Sequence, residues 1–123
     1  MEKRALVVDD KAFIRQNTRE VLEESGFEVF EACDGIEGID KYVELKPSIV
    51  IMDINMPRLN GLEATTRIME IDPNANVAIC SSMLFIPYYQ KLALNAGAKA
   101  IISKPFTKLE LISALNQLLE NMR

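Results

Sequence analysis

Short apolar runs alternate with longer amphipathic segments along the whole chain. The runs Ala5 to Val8, Ser48 to Met52, Asn76 to Cys80 and Ala100 to Ser103 are almost unbroken in aliphatic residues, the pattern of strands buried on both faces of a sheet. Glu28-Val29-Phe30-Glu31-Ala32 alternates instead, which predicts a strand at an edge. Between these runs, apolar residues recur at three- and four-residue spacing in Ala12 to Glu24, Ile36 to Leu45, Leu62 to Ile71, Pro87 to Ala96 and Lys108 to Asn121, predicting five helices.

The punctuation agrees with that division. Ser25-Gly26, Lys46-Pro47, Asp72-Pro73-Asn74 and Ala96-Gly97 are helix stops, and Thr107 with Glu110 forms a capping box for the last helix. Alternating strands and helices with short links predict an α/β fold: a five-stranded parallel sheet with five helices on both faces, because each crossover is right-handed. Of the doubly wound strand orders, five strands suit the flavodoxin-like 2-1-3-4-5, whose ligands bind beyond the carboxyl ends of the strands between the first and third.

Composition narrows the function. A chain of 123 residues, 49% hydrophobic and 26% charged, has the size and mix of a single domain, residues 1–123, around one core. Eighteen acidic against fourteen basic residues give a net charge of -4, without a basic block to follow a phosphate backbone, so no direct nucleic-acid binding is expected. The first apolar run is cut by Asp9 and is too short for a signal peptide or membrane span, so a cytoplasmic protein without membrane insertion is expected. There is no histidine, and Cys33 and Cys80 lack any CxxC grouping; this weakens zinc, Ser/His and Cys/His chemistry. Both cysteines read as reduced core thiols.

The candidate chemistry sits where the runs end. Asp9 and Asp10 end the first, Asp53 the third, Ser81 the fourth and Lys104 the fifth. In the predicted strand order these side chains meet at one edge. Alone, each has a plainer reading: an Asp turn or N-cap, a pair of turn hydroxyls in Ser81-Ser82, a Lys-Pro loop. Together, three carboxylates would repel by about 4 kcal/mol per close pair at an effective dielectric of about 20, and a divalent cation relieves that repulsion. Magnesium takes hard oxygen ligands, so Asp10, Asp53 and the Asn55 carbonyl are candidate ligands beside a phosphoryl oxygen. Asp53 is then the candidate nucleophile, with Lys104 and Ser81 reaching the phosphoryl oxygens.

In this order, Val7-Val8-Asp9-Asp10, Met52-Asp53-Ile54-Asn55-Met56-Pro57 with Gly61, Cys80-Ser81-Ser82, Gly97-Ala98 and Lys104-Pro105-Phe106 resemble the receiver domain of two-component response regulators, above all the single-domain chemotaxis regulators of the CheY type, from Lys3 to about Asn121. The resemblance implies a signalling domain and not an enzyme. Asp53 would be the phosphoacceptor, Asp9 and Asp10 would organise Mg2+ with the Asn55 carbonyl, Ser81 would be the switch hydroxyl, and Lys104 would contact the phosphoryl group through a loop with a cis Lys104-Pro105 bond. It further implies a sensor histidine kinase or phosphotransfer protein as donor, a downstream target protein met through the α4/β5/α5 face, and a monomer or weak dimer.

Two departures stand out. Ile101 occupies a place where receivers usually carry Tyr or Phe, so an aromatic ring cannot follow the switch hydroxyl inward. The segment Ser81 to Tyr89 is unusually apolar: Leu84, Phe85, Tyr88 and Tyr89 either form an exposed patch for a partner or cover the fourth helix's own core face. The rival functions are a metal-dependent phosphohydrolase, which usually wants an acid where Asn55 stands, a flavin-binding electron carrier, and a receiver-like module that works by contact without phosphorylation.

Overall fold

The computed structural model describes residues 3–120. Five strands, β1 (Arg4–Val8), β2 (Glu28–Ala32), β3 (Ile49–Met52), β4 (Val77–Ser81) and β5 (Ala100–Ser103), alternate with five helices, α1 (Ala12–Glu24), α2 (Gly35–Leu45), α3 (Gly61–Ile71), α4 (Pro87–Ala96) and α5 (Lys108–Glu120). The strands pair in parallel in the order β2-β1-β3-β4-β5, and the elements fall within a residue or so of the expected bounds. Asn121, the expected end of α5, lies outside the described residues. One element was not expected: a 3₁₀ turn, Ser82–Phe85, between β4 and α4.

The near-continuous aliphatic runs are explained by two cores. In β1, Leu6 and Val8 face one layer and Ala5 and Val7 the other; β3 divides Val50 and Met52 from Ile49 and Ile51 in the same way. The first layer contains Tyr42 of α2, Ala64 and Ile68 of α3 and Ala93 of α4; the second contains Leu22 of α1 and Leu111, Leu115 and Leu118 of α5. With both faces of β1 and β3 covered, a polar side chain has room there only where the strand ends.

Each expected stop ends its helix. Ser25, Lys46, Asp72 and Gly97 are the C-caps of α1 to α4, with Lys46 and Gly97 left-handed. The Thr107 and Glu110 capping box forms reciprocally, both bonds at 3.1 Å. Two further N-caps, Asp34 on Glu37 N–H at 2.8 Å and Asn60 on Glu63 N–H at 2.9 Å, start α2 and α3.

The cysteines need correction. Cys80 is buried in β4, but Cys33 is exposed: β2 ends at Ala32, and the next residue lies in the turn to α2, where its N–H binds the Glu37 carboxylate at 2.6 Å. The apolar segment divides. Leu84 is fully buried and Tyr89 packs against the core, whereas Phe85 and Tyr88 are 71% and 64% exposed. Among the described residues, no helix is long and apolar enough to cross a membrane.

Candidate functional site

Backbone hydrogen bonds bring the strand ends level. Asp9 N–H donates to the Ala32 carbonyl at 3.1 Å, Asp53 N–H to Val8 at 2.9 Å, and Lys104 N–H to Ser81 at 3.1 Å. Each bond continues a parallel ladder by one step past the last strand residue, so the side chains that follow open onto one edge.

At that edge, carboxylate oxygens of Asp9, Asp10 and Asp53 lie within 4.8 Å of one another. Asp9 and Asp53 are buried; Asp10 is exposed and pairs with Lys11 at 3.2 Å. Lys104 enters between the two buried acids, with Nζ 2.6 Å from Asp9 and 3.3 Å from Asp53. The Lys104-Pro105 peptide is cis.

Asp9 has all of its polar atoms engaged. Its N–H and Oδ2 are bonded as above, Oδ1 accepts Lys11 N–H at 2.9 Å, and the carbonyl accepts Arg15 Nη1 at 2.7 Å. The plain reading of the Asp pair as a turn is thus partly right, since the Oδ1 bond closes a local turn. The N-cap of α1, however, is Lys11, without a side-chain cap.

Ionisation follows from this packing. Burial raises the Asp53 pKa and the Asp9 charge adds to it; Lys104 and the Ile54 N–H work the other way without cancelling them. For Lys104, burial opposes the charge, but the Asp9 hydrogen bond and the charges of Asp53 and Asp9 outweigh it, so its pKa is raised and it stays cationic. Burial pushes the Cys80 thiol up to about 12, so it is inert at neutral pH.

Ser81 is fully buried, and its hydroxyl oxygen accepts Met83 N–H at 3.1 Å. Asn55 is exposed in the loop after Asp53. Gly61 has a role that the motif alone did not explain: a Cβ there would lie 1.7 Å from the Asp53 carbonyl oxygen. The first turn of α3 therefore rests on the backbone of Asp53, and Gly61 N–H donates to Ile54 at 2.8 Å.

Sequence reasoning missed two neighbours of the site. Arg15 on α1 is one; its signal was a cation one turn into the helix that follows the acid pair. The other is a cavity of about 600 Å³ beside Lys104, lined by Phe13, Ile14, Val21, Pro105 and Phe106 among others. Phe13 is 65% exposed.

Three acidic oxygens beside one half-buried ammonium form a hard-oxygen site that suits a small divalent cation and a phosphoryl group. Residues 5–116 match the family model of the response regulator receiver domain. The chemotaxis protein CheY of Thermotoga maritima is 47% identical over 95% of this chain and 98% of its own length. Among solved structures, a CheY-like receiver domain protein from Methanospirillum hungatei superposes with a TM-score of 0.91 at 28% identity, covering 99% of this chain and 98% of that one. CheY of Borrelia burgdorferi, in complex with CheX, BeF3 and Mg2+, gives 0.90 at 31% identity over 95% and 89%.

Proposed function

Because this chain belongs to the response regulator receiver domain family, we propose that it is a phosphoacceptor switch in which Asp53 takes a phosphoryl group from a phosphohistidine. The observation that carries this reading is the Lys104 ammonium held between Asp9 and Asp53 at 2.6 and 3.3 Å: the cation and the acids needed for phosphoryl transfer share one strand edge.

An Asp53 carboxylate oxygen forms the new bond to phosphorus as the donor's N–P bond breaks, its electron pair returning to the imidazole. Lys104, already cationic, pairs with the oxygens of the group that arrives. The buried Ser81 hydroxyl donates to another of them. Asp9, Asp10, Asp53 and the Asn55 carbonyl are the ligands for Mg2+, and the three clustered carboxylates fit that ion. Bound there, magnesium supplies neutralising charge for the transferred group.

The donor is a sensor histidine kinase or phosphotransfer protein, and the cavity beside Lys104, walled by exposed Phe13 and by Phe106, offers it a partly apolar approach to the site. A downstream protein then reads the change at α4, β5 and α5, in the cytoplasm, from a domain spanning residues 1–123 that is a monomer or weak dimer. Ile101 is half-buried against the core, so the signal passes without a rotating ring and depends on the β4–α4 segment. The acid two positions beyond the nucleophile that a phosphohydrolase usually wants is Asn55 here, which leaves acceptance without turnover of small esters as the better reading.

Intact mass after incubation with acetyl phosphate and magnesium tests the proposal. One phosphoryl adduct is expected, lost with chelator and lost in Asp53→Asn. No adduct under any condition would overturn it in favour of a contact-only module.

A further inference from the structure

Asp9 is gripped from α1 as well as from β5. Arg15 Nη1 donates to the Asp9 carbonyl at 2.7 Å, while its Nε donates to Glu31 Oε1 at 2.8 Å. The second Glu31 oxygen accepts Arg19 Nε at 2.7 Å, and Arg19 reaches Glu23 at 3.3 Å. Glu31 lies one residue before the end of β2, and the neighbouring Ala32 carbonyl accepts Asp9 N–H. A chain of charge-assisted bonds therefore runs from β2 through α1 to the peptide that joins Asp9 to Asp10.

That peptide is the lever of the acidic cluster. Its carbonyl direction sets where the Asp10 Cα leaves the strand, and Asp10 is the one exposed acid of the three. Among the described residues, its own side chain is restrained only by the surface pair with Lys11, a kind of contact that contributes little order. On the far side of Asp10 the turn closed by Lys11 N–H on Asp9 Oδ1 holds the chain; at the Asp9–Asp10 peptide itself, the guanidinium fork, held by Glu31, fixes the Asp9 carbonyl.

We propose that Arg15, braced by Glu31, is a positioning residue that orients the Asp9–Asp10 peptide so that the three carboxylates converge on a divalent cation. The inference rests on the magnesium reading of the site given above. It also runs against simple charge: a guanidinium beside a cation site repels the ion, so on Coulomb grounds alone its removal tightens binding. Positioning and charge thus predict opposite signs.

Calorimetric titration of the full chain with Mg2+ alone separates them. Arg15→Met and Arg15→Lys should each bind about tenfold more weakly than wild type, the usual loss when a residue that supports a metal ligand is changed; the lysine keeps the charge but not the fork. Arg19→Met, which leaves Arg15 on Asp9, should stay within about twofold. Cooperative thermal unfolding of each variant in chelator confirms that the protein titrated is folded. An Arg15→Met protein that binds as tightly as wild type or more tightly overturns the inference, as does an Arg19→Met protein that loses as much as Arg15→Met. Wild type that binds no magnesium overturns the underlying reading of the site instead.

Discussion

The Ser81 hydroxyl oxygen accepts the Met83 N–H at 3.1 Å and so caps the 3₁₀ turn Ser82–Phe85 from a fully buried position. The group proposed to meet the phosphoryl oxygen is thereby tied to the backbone that leads into α4. Ser81→Ala should cost about 1 kcal/mol in chemical denaturation through the lost cap and uncouple α4 from phosphorylation. At the other end of the bond, Met83 is apolar and cannot orient an attacking water. Met83→Glu should change the lifetime of the phosphoryl group, read as the decay of the mass adduct; an unaltered decay would exclude this side chain from hydrolysis.

Gly61 is the tightest constraint beside the nucleophile. An added methyl would lie 1.7 Å from the Asp53 carbonyl oxygen and 2.9 Å from the Met52 side chain, and the first of these contacts is with backbone that cannot step aside. Gly61→Ala should lose about 3 kcal/mol or more and, by displacing Asp53, slow phosphorylation even where the protein remains folded. Urea denaturation and adduct formation measured on one sample check both parts.

Asp53 is a carboxylate whose pKa burial holds up, with Asp9 adding to it. A carboxylate whose folded pKa lies above its unfolded value favours folding at low pH and loses that contribution as pH rises through the folded value. In chelator, Asp53→Asn should therefore melt higher than wild type at neutral pH, and the gap should narrow as the pH falls into the carboxylate range. An Asp53→Asn protein that melts lower than wild type would mean that the 3.3 Å pair with Lys104 outweighs burial.

The fold was legible because the sheet is buried on both sides: an aliphatic run can end only where the sheet ends, so Asp9, Asp53 and Lys104 marked the edge themselves. Helix stops were equally plain, since Gly26 takes up the positive φ that other residues avoid, and Pro47 and Pro73 lack the N–H and clash with a continuing helix. The Asp34 and Asn60 caps do not stand out in the sequence, because polar residues crowd these loops and only geometry shows which one accepts a backbone N–H. Cys33 reads as a core thiol because its type favours the interior, although it lies one residue past the end of β2. Arg15 and Glu31 are 16 positions apart, on elements whose contact no local pattern records.

Leu84 and Phe85 show how local geometry divides an apolar run. The 3₁₀ turn rotates successive side chains by about a third of a turn, sending Leu84 into the core and leaving Phe85 71% exposed. Leu84→Ala should cost about 2–5 kcal/mol, and Phe85→Ala no more than about 0.5 kcal/mol, as measured by urea denaturation. If Phe85 serves a partner, its loss appears in binding and not in stability.

Far from the acidic edge, the Tyr42 hydroxyl donates to Asp72 Oδ2 at 2.7 Å, joining α2 to the end of α3 from a buried phenol. That bond, followed by the one from Asn74 N–H, lowers the Asp72 pKa; burial and the Asp72 charge raise that of Tyr42, so the phenol stays neutral through the alkaline range of an ordinary tyrosine. A depressed carboxylate pKa stabilises the fold above its unfolded value, and the contribution is lost as pH falls through the folded value. Tyr42→Phe should thus cost about 1 kcal/mol at neutral pH, at the low end for a bond to a charged group because Asp72 is partly exposed. The difference between wild type and variant should shrink steadily on acidification, when a protonated Asp72 gives the phenol a weaker acceptor. A penalty that held constant into acid would assign it to the packing of the phenol oxygen, since only the charged bond titrates with Asp72.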